Sequence, residues 1–189
     1  AGQVAGIPAT VGGPKAHPPK AKKVWEEKIN KKEKRKATNS AIAATGSEEL
    51  VKGRGHKFKE GIKFPIIIES DLENLGNTKD VRKAFREIGV WLDVEKAIAK
   101  RQIRPGIGKK RGRRYKKRKS VLIVAGNTEK IYKGARNLEG VDIISVQDLN
   151  ANVLAPGTLP GRLTLWSENA IKELANEKTV KEAKVEAKI

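Results

Sequence analysis

The chain has no cysteine and no methionine, only two histidines, and eight aromatic side chains in 189 residues. Without cysteine there is no disulfide framework, no thiolate zinc site and no thiol nucleophile. Met is missing even at position 1, which points to an absent N-terminal portion. No apolar stretch nears the roughly 18 residues that span a bilayer. The first residues also lack the apolar centre of a signal peptide, so the reading is a soluble, intracellular protein with no membrane partner. His17 stands beside Pro18 and Pro19, and His56 lies in a basic loop. Neither has a second ligand at metal spacing, and no metal or cofactor is expected. Glu26 with Glu27, and Glu48 with Glu49, are adjacent in helical segments. Their side chains diverge by about 100° around the axis and do not converge on a substrate. Catalytic machinery is not visible, and no small-molecule substrate is expected.

Positive charge is what the chain has in excess, with 41 Lys and Arg against 22 Asp and Glu, a net +19. Twelve of the twenty residues in KRQIRPGIGKKRGRRYKKRK, Lys100 to Lys119, are basic and none is acidic. A second island, Lys15 to Lys36, has ten basic residues against three acidic ones. The remainder is nearly neutral. Two cationic islands on a neutral body call for a polyanion, bound through counterion release with an affinity that falls steeply as salt rises.

Hydrophobic residues make up 38% of the chain, enough for one core of ordinary size plus extensions. Residues 1–20 combine Gly, Pro and small side chains without a hydrophobic period and read as an extended arm. Residues 21–61 read as a basic helical segment and connector, with Val24, Trp25, Lys28 and Ile29 on one helical face, a stop at Gly46 and a short helix opening at Ser47. Residues 62–177 read as a globular domain carrying the insertion 100–119, and 178–189 as a charged tail. Within the domain, FPIIIE (64–69), SVLIVAG (120–126), Val141 to Val146 and RLTLW (162–166) are buried strands. They alternate with helical segments at 71–75, 78–88, 127–135, 148–154 and from Ser167 to about Glu177, with Thr78 and Ser167 as caps. The fold class is α/β, an open and mainly parallel sheet flanked by helices, with a long basic loop or arm.

An open α/β sheet invites comparison with nucleotide enzymes. Gly106, Gly108 and Gly112 give G-x-G-x-x-x-G, one residue too long for the dinucleotide fingerprint, and they precede a strand where the motif requires a helix. Gly108 and Lys109 continue into Lys110, not into the Ser or Thr of a phosphate loop. RNA fits better than duplex DNA, because the islands read as loops and an irregular helix with no element for a major groove. Trp25, Phe58 and Tyr115 lie in or beside the basic segments and could stack on unpaired bases, or simply pack.

Four stretches are familiar: VGGPKAHPPK (11–20), NKKEKRKATNSAIAAT (30–45), ARNLEGVDIISVQDLNANVLAPG (135–157) and GRLTLWSENAIKEL (161–174). In this order they resemble the archaeal and eukaryotic branch of the large-subunit ribosomal protein four family, and the resemblance covers nearly the whole chain. It implies a non-enzymatic structural protein of the cytoplasmic ribosome, partnered by large-subunit ribosomal RNA and neighbouring ribosomal proteins. It also implies support of subunit assembly and a loop directed at the polypeptide exit tunnel. Gly12, Gly13, Pro14 and Lys15 would lie on the returning arm of that loop. The family's opening strand, first helix and outgoing arm have no counterpart before Ala1, and the short tail resembles archaeal members.

The RNA-binding residues expected in the first island and its connector are Lys15, Lys20, Lys22, Lys23, Trp25, Lys31, Lys32, Lys34, Arg35, Lys36 and Arg54. In the second they are Arg101, Arg104, Lys109, Lys110, Arg111, Arg113, Arg114, Tyr115, Lys116 and Lys117. The alternative is a free RNA-binding regulator of translation or transcription, for which the same basic surface would serve.

Overall fold

The computed structural model of the chain describes residues 6–176. The charged tail, the end of the last helix near Glu177 and the first five residues lie outside them. The chain divides into two units, Ala1–Asn30 and Lys31–Ile189. In the first, residues 6–30 make turns but no helix or strand. The Thr10 and Gly13 N–H groups donate to the Ile7 and Thr10 carbonyls, both at 3.0 Å. The helical face expected from Val24, Trp25, Lys28 and Ile29 does not form. Val24, Trp25 and Ile29 stay exposed, and so charged a segment does not hold a helix without a buried apolar stripe.

The second unit runs through helices α1 (Lys31–Thr45) and α2 (Glu48–Arg54), strand β1 (Ile66–Ile68), a 3-10 turn at Ser70–Asn74, and helices α3 (Thr78–Ile88) and α4 (Trp91–Ala99). Short strands β2 (Gln102–Ile103) and β3 (Tyr115–Lys116) follow, then β4 (Leu122–Ala125), α5 (Glu129–Ala135), β5 (Asp142–Ser145), α6 (Ala151–Leu154) and β6 (Thr164–Ser167). Residues 168–176 are helical, and the Ser167 hydroxyl accepts from the Ala170 N–H at 3.1 Å as the expected cap.

Four strands form one parallel sheet in the order β1, β6, β4, β5, which is the predicted α/β architecture. Ile123 of β4 is in register with Ile143 of β5 and Leu165 of β6. Both faces of the central strands β4 and β6 are covered, as their unbroken apolar runs imply, whereas β1, expected to be buried, lies at the sheet edge and leaves Ile67 53% exposed. Val121, Ile123, Ala125, Leu163 and Leu165 join Val81, Phe85, Val94 and Ile131 from α3, α4 and α5 on one face. Leu122, Val124 and Trp166 meet Ala41 of α1, Leu154 of α6 and Ala170 on the other.

Three further features differ from the sequence reading, each for a physical reason. Helix α3 is preceded by Asn77 as its cap residue, whose side-chain amide donates to Asp80 at 3.1 Å, so Thr78 is the first helical residue and not the cap. Helix α4 was not anticipated; Val90, Val94 and Ala97 bury one face at helical spacing directly after the left-handed Gly89. The basic insertion is an ordered hairpin, with Gln102 opposite Lys116 and Ile103 opposite Tyr115, where a loop was expected.

Arg162 is the largest fully buried side chain among the described residues. Its guanidinium donates to the carbonyls of Ser120 (3.1 Å), Val153 (3.0 Å) and Gly140 (3.4 Å) and to Asp142 (2.6 Å). It thereby ties together the segments that lead into β4, β5 and β6. Burial pulls its affinity for a proton down, and the Asp142 carboxylate pulls it back up; an arginine stays cationic throughout.

Helix α5 crosses the 3-10 turn and α3 at Gly134. A methyl there would sit 2.7 Å from the Leu75 carbonyl oxygen and 3.0 Å from Val81 Cγ2. Gly→Ala in a helix ordinarily stabilises by about 1 kcal/mol. Here overpacking is expected to dominate, so Gly134→Ala should destabilise by about 1–3 kcal/mol in denaturant unfolding. A midpoint at or above that of the parent would contradict this packing.

Candidate nucleic-acid interface

The second island is built as a ribbon. Arg104 N–H donates to the Arg114 carbonyl at 2.8 Å, and its Nε donates to the Arg113 carbonyl at 3.2 Å. The tip closes through Gly106 and Gly112, with φ of 77° and 78°, values that favour glycine. The glycines that failed as a nucleotide fingerprint are therefore turn residues. Residues 109–119 are exposed throughout, and two-residue strands would not hold together without these turns and the domain beneath.

At the base of the ribbon the charges are arranged by two acids. Glu139 pairs with Arg101 at 2.9 Å and Lys117 at 3.3 Å, and Asp142 pairs with Lys119 at 2.8 Å and with Arg162. Arg101 lies 4.3 Å over the Tyr115 ring centroid, with Arg114 at 5.8 Å. One face of Tyr115 is thus already occupied by a guanidinium, which keeps the ring edge in place. Lys109, Lys110, Arg111 and Lys116 project from the ribbon without a side-chain partner among the described residues.

The first island is split between the two units. Lys15, Lys20, Lys22, Lys23 and Trp25 are exposed in the first, with the Lys23 ammonium 4.6 Å above the Trp25 ring. Gly12 there has φ 74°, and Pro14 and Lys15 are exposed beside the partly covered Gly13. In the second unit, Lys31, Lys32, Lys34, Arg35 and Lys36 crowd the exposed first turns of α1, with Glu33 the one acid among them. Cations at a helix N-terminus oppose the macrodipole, and Lys31 with Lys34 and Arg35, or Lys32 with Arg35 and Lys36, repel at i,i+3 and i,i+4. A helix arranged against its own stability in this way gains when a polyanion covers it. The other end of α1 buries Ala41, Ala44 and Thr45.

Some of the connector turns inward. Arg54 donates to the carbonyls of Leu159 and Pro156, so two of its donors serve the fold. Phe58 packs edge-on against Phe64, with centroids 5.0 Å apart, and joins the core; simple packing holds for this ring. His56 Nδ1 is 2.8 Å from Asp93 Oδ2, both side chains buried, and the Lys57 N–H donates to Asp93 Oδ1 at 3.0 Å. Sequence reasoning missed this pairing, and it left Lys96, Lys100, Arg118 and Lys119 out of the expected contacts. The last three were signalled by the same basic run; Lys96 is brought to it only by α4.

The carboxyl ends of β4 and β6, where an α/β enzyme would hold a phosphate, are closed by an acid. Glu73 is 7% exposed and accepts from the Gly126 and Asn127 N–H groups at 3.0 and 3.2 Å, the Ser167 hydroxyl at 2.6 Å and the Asn169 amide at 3.4 Å. The cleft of about 580 Å³ beside it is lined by Glu73, Glu129 and Glu173 against Lys172 alone. A nucleotide phosphate would meet repulsion there. Among the described residues no helix is long and apolar enough to cross a membrane, and no three His, Asp or Glu side chains group as a metal site.

Comparison with known proteins gives concordant results. Residues 1–177 match the model of the family described as "Ribosomal protein L4/L1 family". The chain is 54% identical over 168 residues to the large ribosomal subunit protein uL4 of Archaeoglobus fulgidus, covering 89% of this chain and 66% of that protein. It is 52% identical over 175 residues to uL4 of Methanospirillum hungatei (93% and 69%). With uL4 of Methanosphaera stadtmanae it shares 45% over 170 residues (90% and 66%). The chain thus spans about two thirds of the length of these relatives.

Burial favours the neutral acid at Glu73, Asp93 and Asp142, but donors overcome it. The Ser167, Gly126, Asn127 and Asn169 groups hold Glu73 below its ordinary value; His56 and Lys57 do so for Asp93, and Lys119 and Arg162 for Asp142. Lowered folded-state values mean stability that is present above the unfolded carboxylate range and lost as pH falls through the folded values. Unfolding midpoints should therefore hold from pH 7 to 5 and decline below about pH 4. Glu73→Gln should cost about 1–3 kcal/mol at pH 7, a gap that narrows on acidification; a gap independent of pH would contradict the ionised Glu73.

Proposed function

This chain belongs to the ribosomal protein L4/L1 family, and from that membership we propose that it is a non-enzymatic structural constituent of the large ribosomal subunit, in the cytoplasm, that binds ribosomal RNA. The relatives carry the name of a large-subunit protein. The observation that carries the RNA reading is the ribbon of twelve cations and no acid in Lys100 to Lys119, held on a domain whose cleft at the strand ends is acidic. A fixed ribbon presents its charge at defined places and suits a folded RNA surface of uneven phosphates. The exposed start of α1 adds a second row.

In this reading the ribbon and α1 neutralise and hold RNA helices together while the subunit assembles. Neighbouring ribosomal proteins cover other parts of the surface. Gly12, Gly13, Pro14 and Lys15 belong to an arm directed at the polypeptide exit tunnel. Such an arm has few apolar side chains to pack and is ordered by the RNA that satisfies its charge and hydrogen bonds.

Replacing Lys109, Lys110, Arg111 and Arg113 by Ala should weaken binding to a large-subunit RNA fragment. The plot of log affinity against log salt should also flatten, by about 0.7 to 0.9 for each phosphate that the protein no longer neutralises. Filter binding over a salt series measures both. An unchanged slope would mean that the ribbon touches no phosphate and is a solvated surface only.

A further inference from the structure

The base of the ribbon holds a feature distinct from its tip. Three adjoining concavities, of about 400, 270 and 290 Å³, all share Arg118 in their walls. The largest lies between the end of α2, the end of α4 and the 156–159 turn, and adds Lys96 and Lys100. The second adds Arg136, and the third adds Lys100, Lys116 and the amide of Gln102. The acids in these walls are already engaged: Asp93 with His56, Glu139 with Arg101 and Lys117, Asp142 with Lys119 and Arg162. Those pairs hold Lys117 and Lys119 as walls. Lys100 and Arg118 have no side-chain partner among the described residues, so their charge is left for a ligand.

We infer that these concavities are one groove, centred on Arg118, that holds consecutive phosphates of a single unpaired RNA strand where the ribbon leaves the domain. The inference deepens the RNA-binding reading and rests on it. Concavity decides between strand and duplex. Duplex phosphates lie on the convex ridges of a wide cylinder and meet protruding side chains, whereas an unpaired strand can follow a cationic groove through successive pockets. The size of the pockets suits one nucleotide each better than a helix. Gln102, the uncharged polar group in the third pocket, can donate to or accept from a base edge.

The test uses the 189-residue chain with an unpaired oligouridylate of about 12 nucleotides, within single-strand site sizes, and a duplex RNA of equal charge. Lys100→Ala with Arg118→Ala should weaken single-strand binding about tenfold and lower its salt slope by about 0.7 per phosphate released, while changing duplex binding much less. Arg118→Lys, which keeps the charge, should retain most of the affinity and controls for folding together with an unchanged circular dichroism spectrum. Lys109→Ala with Lys110→Ala at the tip is the comparison. Tip substitutions that weaken binding while the groove pair does not would overturn the groove and leave the RNA-binding reading standing. If neither pair matters, both fall. Polyglutamate displacing the oligonucleotide as well as an RNA competitor of equal charge would assign the groove to an acidic protein segment and likewise overturn the inference.

Discussion

The guanidinium of Arg162 is the contact on which the rest depends. A cation with no access to water is tolerated only when its nitrogens find partners, and breaking such a set by removing one partner costs about 3–5 kcal/mol. Here the partners are three carbonyls and Asp142, drawn from the segments that enter β4 and β5 and from α6. The same Asp142 receives Lys119, the last residue of the basic run. The interior of the sheet and the root of the ribbon are thus joined through one carboxylate. This gives a charged hairpin with two-residue strands a fixed exit direction from the domain.

Charge is separated by function over the rest of the molecule. The sheet is apolar on both faces, its acids are taken up by internal donors, and among the described residues cations without partners are densest on the ribbon, its base and the first turns of α1, with others such as Lys63, Lys79 and Lys133 dispersed over the surface. Glu73 makes the distinction sharper. Its carboxylate accepts from the backbone amides after β4, the same kind of donors that cradle a phosphate in nucleotide enzymes of open α/β type. An α/β sheet whose switch-point donors are satisfied internally is free to serve as a scaffold, with its binding chemistry moved to insertions.

How much of this the sequence disclosed follows from the range of the forces involved. Continuous apolar runs are local, so β4, β5 and β6 and the α/β class were legible from SVLIVAG, Val141 to Val146 and RLTLW. The second island was legible as a concentration of exposed cations from composition alone, but its hairpin was not, because two-residue strands leave no period and the glycines at 106 and 112 read as loop. Helix α4 was hidden between the stop at Gly89 and the charge that dominates the following twenty residues. Arg162, Glu73 and Asp93 look like surface residues in sequence, since their partners lie tens of positions away. Arg54 was expected on RNA for the same reason, and the structure turns two of its donors to backbone carbonyls. The helical face at Val24 to Ile29 had the period of a helix without a surface to bury it. The groove residues Lys100 and Arg118 become distinguishable from their basic neighbours only through Glu139 and Asp142, which engage the residues around them.

The most direct measurement is ultraviolet cross-linking of intact large subunits containing this chain, followed by mass spectrometry of the protein peptides that carry nucleotides. The expected result is RNA attached to peptides within 100–119, with Tyr115 prominent, and within 20–36 around Trp25. Cross-links confined to other surfaces, or absence of the chain from the large subunit, would contradict the account.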